Sequence, residues 1–418
     1  MKLPRLVKAS QLCQVHYELT RARARSLDAM RTRLVATLCL VSCGSSGELS
    51  FDSNAADSSR AAARASEGPQ IAEYVVAAFE DTRGDLWFGT NGQGAARYQP
   101  ATSLKPTGEL RYFSRGEGLI DDVVTDIDAD HAGRVWFGTH AGVSRFDPAE
   151  ERATGRVTFT SFGGASGLRG DGCKLLFDRN GVLWVGSSAG VFRFDGERFL
   201  RFELPKPAIE APSYKIVPDK IWDLFEDSQG NLWFARDGLG ACKFDPSVAS
   251  EPGGASFTLF TELDGLCSNN VASIVEDPHG RIWFGSITSD HPQFLAKGGL
   301  SRFDPHVSRA PGAPLLTQFP TLAGLTGNDI YNLFVDRSGN VWIGAVRVGA
   351  YRYETNSDAE RFTLFDRTDR PDLTGNFGVQ AMLQDRHGTL WFGFSGGLFR
   401  FNGAAFVNVT RSGPWSSP

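Results

Sequence analysis

Side chains that could do covalent chemistry are sparse in this sequence, and their spacing argues against most active sites. Gly186-Ser187-Ser188-Ala189-Gly190 fits the string of a serine nucleophile elbow. An elbow needs a strand-to-helix turn. Here the string aligns with Gly138-Thr139-His140-Ala141-Gly142, one repeat earlier, so Ser188 is not expected to attack anything. Gly89, Gly92 and Gly94 cluster loosely, but no helix follows them to receive a phosphate. His131, His279 and His387 fall in equivalent turns of different repeats, too far apart to share a metal. Neither His-Glu-x-x-His nor a paired Cys-x-x-Cys occurs. One turn aspartate per repeat supplies too few oxygens for calcium, which takes about 6–8. No catalytic residue, metal or cofactor is therefore expected.

The elements that would position any site are legible from composition and period. The chain has 418 residues, 41% hydrophobic and 22% charged, with 47 Gly, 31 Phe and 9 Trp. Abundant glycine beside abundant aromatics suits short strands joined by tight turns. The formal net charge of −5 leaves no basic surplus for phosphates, which excludes nucleic acid as the expected partner.

One unit recurs seven times. Its core reads EDTRGDLWFGT, ADHAGRVWFGT, FDRNGVLWVGS, EDSQGNLWFAR, EDPHGRIWFGS, VDRSGNVWIGA and QDRHGTLWFGF, anchored on Trp87, Trp136, Trp184, Trp233, Trp283, Trp342 and Trp391. Each unit resolves into four strand-like pieces. Piece A is short and apolar, as in Tyr74–Phe79, and suits a strand covered on both faces. An Asp-x-x-Gly turn follows, in which Asp bonds the backbone two residues ahead and Gly supplies a positive φ. Piece B is the Leu-Trp-Phe-Gly run, piece C the Gly-Val-Ser-Arg-Phe-Asp-Pro type, and piece D alternates Phe with polar residues. One unit cannot bury its own aromatic face, whereas stacked units can. The expected fold is all-β: a seven-bladed β-propeller of four-stranded antiparallel blades over residues 70–410, with no helices and no swapped closing strand unless residues before Ile71 add one.

The N-terminus has a different character. Met30-Arg31-Thr32-Arg33 precedes the apolar run Leu34–Val41 and Cys43, the arrangement of a secretory signal. The run is shorter than the ~20 residues that span a bilayer. Leu40-Val41-Ser42-Cys43 resembles a bacterial lipobox, which implies lipidation of Cys43. Residues 1–29 are then an extension ahead of the true start at Met30, 30–43 the signal segment, 44–69 a tether and 411–418 a tail. Past the signal, Cys43, Cys173, Cys242 and Cys267 remain. Cys242 and Cys267 belong to one blade near one rim, and both a disulfide and two free thiols stay open.

The units AGVSRFDP, GGLSRFDP and EDSQGNLWFAR, and the Gly-Leu pairs Gly118-Leu119, Gly265-Leu266 and Gly324-Leu325, resemble the two-component regulator propeller repeat. That resemblance runs through every unit from about Gln70 to Thr410. It implies an extracytoplasmic sensor domain whose usual ligands are carbohydrate breakdown products. The family often places two rings before a transmembrane helix and a histidine kinase, whereas this sequence shows one ring. The phosphorelay role is therefore not carried over, and neither are binding residues, because the family's ligand contacts lie outside the repeat.

Strand direction assigns the faces. If A runs away from one face, B returns to it, so the B–C loops and D–A links share a face. That face carries the departures from the repeat, and such departures concentrate at functional sites. Blade five inserts Ile287–Lys297 with Asp290 and His291, blade four reads Ala235-Arg236-Asp237, blade six has Arg347 and blade two has His140. Trp222 and Tyr331 could add aromatic surface for a sugar. The expected function is a binding or sensing module, monomeric, exported and membrane-held only by lipid, that recognises a small ligand or an envelope protein. A propeller lyase resembling the virginiamycin B lyase type, using His140 or His291, and a structural envelope protein are the alternatives.

Overall fold

A computed structural model describes residues 71, 74–101, 107–209, 217, 219–248, 256–288, 298–310, 312–319, 329–345, 349–357, 361–370, 378–411 and 413. Their strands form seven four-stranded antiparallel sheets, each made of four consecutive strands A to D. The A strands are Val75–Glu80, Val124–Ala129, Lys174–Phe177, Ile221–Glu226, Val271–Glu276, Ile330–Val335 and Val379–Gln384. Each packs against the A strand of the next sheet, and the last packs against the first. The fold is a closed seven-bladed β-propeller, as the repeat demands. Among the described residues no blade borrows a strand. The Ile71 N–H donates to the Thr410 carbonyl at 2.8 Å, and Ile71 is buried in a core shared by blades one and seven.

The repeated aspartate has a second task that the turn alone does not reveal. In every blade one carboxylate oxygen accepts the backbone N–H groups two and four residues on, as Asp178 does from Asn180 and Val182. The other oxygen accepts the indole N–H of the blade's tryptophan at 2.7–3.1 Å. The carboxylate is thus the acceptor that lets the tryptophan be buried without an unmet donor. The turn glycines sit at φ of 74–89°, the left-handed region.

The glycine after Trp-Phe is a blade-to-blade contact. A Cβ on Gly138 would come 2.2 Å from the Cys173 carbonyl of the next blade, and one on Gly393 would come 2.6 Å from the Val75 carbonyl across the closing seam. At these two positions a side chain would push the next A strand away.

One sequence expectation needs amendment, and one alternative left open is decided. A short α-helix, Pro148–Thr154, stands in the C–D loop of blade two, capped by Asp147. Asp-Pro at its start supplies an N-cap and a preset φ, a helix signal inside what reads as a loop. Cys242 and Cys267 are free thiols, as is Cys173; the Cys267 thiol donates instead to the Leu300 carbonyl at 3.3 Å. Among the described residues no helix is long and apolar enough to cross a membrane. Cys43 and the signal segment lie outside the described residues.

Candidate ligand-binding site

Six of the seven A strands contain a β-bulge against strand B. The registers shift between Val75 and Ala77, Val124 and Asp126, Ile221 and Asp223, Val271 and Ser273, Ile330 and Asn332, and Val379 and Ala381. The residues skipped are Val76, Thr125, Trp222, Ala272, Tyr331 and Gln380. A bulge frees its extra residue from the ladder and re-aims its side chain. All six line one pocket of about 280 Å³ at the end of the ring where the A strands begin. Lys174 completes the wall from blade three, so every blade contributes. The pocket is near the lower end of the range for small-ligand sites, roughly 300–1,000 Å³.

The wall mixes aromatic, neutral polar and charged groups. Trp222 and Tyr331 meet edge to face with ring centroids 6.2 Å apart. The Lys220 ammonium lies 3.4 Å from the centroid of the Trp222 ring, and burial pulls its pKa down against the pull of Asp237 and Asp171. The indole N–H of Trp222 is buried without an acceptor. Asn91, Asn332, Gln380, Thr125 and Ser273 supply neutral donors and acceptors around them, and His140 adds an imidazole.

Deeper, carboxylates stitch neighbouring A strands together. Asp126 accepts the Leu175 N–H at 2.8 Å, Asp128 the Phe177 N–H at 3.1 Å and Asp223 the Ile274 N–H at 2.9 Å. Burial pushes the Asp223 carboxyl up to about 6 and that of Asp128 up to about 7. Lys174 donates to the Thr125 carbonyl at 2.8 Å and offsets part of the burial of Asp126 and Asp223.

The sequence-derived site residues divide into three groups. Trp222, Tyr331 and His140 line this one pocket. Arg236 and Asp237 do not. Arg236 is buried and faces a separate cavity between blades three and four. Asp237 is also buried, and its carboxylate accepts the Val217 N–H at 3.0 Å while its own N–H donates to the Lys220 carbonyl. It holds the end of the link from blade three to blade four, because a buried carboxylate must take local donors. Asp290, His291 and Arg347 lie outside the described residues. Sequence reasoning missed Lys174, Lys220, Asp223, Asn332 and Gln380. Lys174, Asp223 and Asn332 stand four residues before the turn aspartate and Gln380 five, so alignment on that aspartate could have found them.

Ring closure and the bulged wall define a propeller with a pocket at one mouth of its axis. The two-component regulator propeller family profile matches residues 69–92, 215–235, 265–288 and 324–347, so four segments of the chain match that family's repeat. No curated protein sequence matches the chain. Among solved structures, it is similar to the extracellular domain of the hybrid two-component system BT3049 from B. thetaiotaomicron, at 20% identity and a TM-score of 0.55. That likeness covers 80% of this chain but 39% of the BT3049 domain. A streptogramin B lyase is similar at 12% identity and a TM-score of 0.54, covering 79% of this chain and 93% of the lyase. Virginiamycin B lyase from Staphylococcus aureus gives 12% and 0.52, covering 78% and 95%. At such identities the likeness is one of fold alone.

Proposed function

We propose that the chain is the recognition module of an exported sensor, binding a small carbohydrate at the mouth of its axis. The observation that carries this reading is the ring of bulged residues, which turns an aromatic pair and several neutral polar groups into one pocket of about 280 Å³. Sugars offer apolar C–H faces to aromatic rings and hydroxyls to Asn, Gln, Ser and Thr, and this wall supplies both. A sugar ring would displace Lys220 from the face of Trp222, and the freed ammonium would donate to its hydroxyls. Extracellular placement follows the BT3049 domain, and tethering follows acylation of Cys43, detectable as a lipid adduct on the mature N-terminus. The protein is taken as a monomer.

Calorimetric titration with a panel of mono- and disaccharides tests the reading. Binding by the wild type, weakened at least tenfold in Trp222→Ala and Tyr331→Ala, supports it. No binding across the panel, or binding indifferent to both substitutions, rejects it. Consumption of the bound ligand would instead favour a lyase.

A further inference from the structure

Arg236 ends strand B of blade four, the position held by Thr90, Thr139, Ser187, Ser286, Ala345 and Phe394 in the other blades. It is 2% exposed. Its Nη1 donates to the Pro205 carbonyl at 2.7 Å, and its Nε is buried with no acceptor. Among the described residues no carboxylate pairs with it directly. Asp219, the carboxylate that acts on it, is already drawn to Arg201 at 3.5 Å and Lys206 at 3.9 Å. Glu203 is taken by Arg201 at 2.7 Å. The Cys242 thiol beside it is held neutral by burial, its pKa pushed up to about 12. A cavity of about 80 Å³ opens here, walled by Arg236, Arg201, Lys206, Asp219 and Glu203. Three cations thus face two carboxylates, and the surplus positive charge rests on the most buried of them. A buried guanidinium without an anion is strongly unfavourable.

We propose that this cavity binds one small anion, a halide or a free carboxylate, against Arg236. Its volume suits the class: it exceeds the ~10–15 Å³ that one water needs, so the space has room for an ion the size of bromide or acetate. The site is separate from the carbohydrate pocket, although Ile221 borders both. An anion there would fasten the start of the blade three to four link, where Leu204 and Lys206 also line the cavity.

Thermal unfolding of the full chain tests this at fixed ionic strength, with bromide or acetate exchanged for a bulky sulfonate. The expected result is a saturable rise in midpoint, about 5 °C at a hundredfold excess over the dissociation constant. Arg236→Met, close in volume, should remove that response. A response to acetate alone assigns the site to carboxylates, and a response to both assigns it to small anions generally. An absent or non-saturating response in the wild type, or the same response in Arg236→Met, overturns the proposal. Should that variant not fold, crystals of the wild type grown in bromide decide: anomalous density at Arg236 supports the site, and water alone overturns it.

Discussion

Trp222 and Tyr331 meet edge to face, 6.2 Å between ring centroids, although they belong to blades four and six and stand 109 positions apart in the numbering. Each is the extra residue of a bulge. Their contact exists because two bulges, with blade five between them, turn both rings toward the axis.

This placement separates them from the core tryptophans. Truncating a buried Trp costs about 3–5 kcal/mol, and Trp233, at 1% exposure, should behave so. Trp222→Ala and Tyr331→Ala should each cost less than about 2 kcal/mol, since half-buried rings lose fewer contacts. Chemical denaturation of the three variants checks this. A loss at Trp222 equal to that at Trp233 would make Trp222 a core residue.

The glycine of the Trp-Phe-Gly run should be irreplaceable where the next blade leans on it. Gly138→Ala forces a Cβ into the Cys173 carbonyl, and overpacking of this kind costs about 1–3 kcal/mol. Blade four already carries Ala235 at the equivalent position, so Ala235→Gly should cost about 1 kcal/mol or less. Comparable losses in the two variants would show that blade spacing does not depend on this residue.

The closing seam has no covalent link, so its polar contacts should matter more than those elsewhere. The Arg386 backbone N–H donates to Glu80 at 2.7 Å, its guanidinium pairs with the same carboxylate, and its Nη2 donates to the Asp81 carbonyl at 2.8 Å. Arg179 grips Glu226 in the same way between blades three and four, which the chain also joins. Glu80→Gln should lower stability by about 1 kcal/mol, the scale of a partly exposed pair. Glu226→Gln should lower it less. Midpoints of thermal unfolding for the two variants, measured side by side, check the order.

Asp128 makes stability depend on pH. It stands two residues before the turn aspartate, where the other blades carry Phe79, Leu176, Phe225, Val275, Phe334 and Leu383. Burial, with smaller pushes from Asp126 and Asp130, raises its pKa to about 7, against about 3.9 when unfolded. Between those values the folded state holds a proton that the unfolded chain has released. Its contribution is therefore full below about pH 4 and lost as pH rises through about 7. Asp223 acts in the same direction up to about 6. Asp128→Leu should flatten the fall in unfolding midpoint between pH 5 and pH 8. An unchanged slope would mean that Asp128 is ionised throughout that range.

Much of the fold was legible because its cause is local and repeated. Seven Trp-anchored units, each with an Asp-x-x-Gly turn, specify four strands apiece, and their aromatic faces require stacking. Strand direction alone also assigned His140, Trp222 and Tyr331 to one face, and the structure places all three in one pocket. The helix at Pro148–Thr154 was overlooked because a seven-residue element inside a loop leaves little periodicity, although its Asp-Pro start was visible.

What the sequence by itself determined is the repeat, the number of blades and the chemistry of the turns, since these follow from short-range spacing and burial. Tertiary structure decided everything that depends on distance across the ring. It assigned the indole N–H to the turn aspartate, set the bulges that aim Trp222 and Tyr331 inward, and buried Arg236 away from them. Those outcomes arise from how closely successive A strands approach when seven sheets close on one another, a constraint no single unit contains.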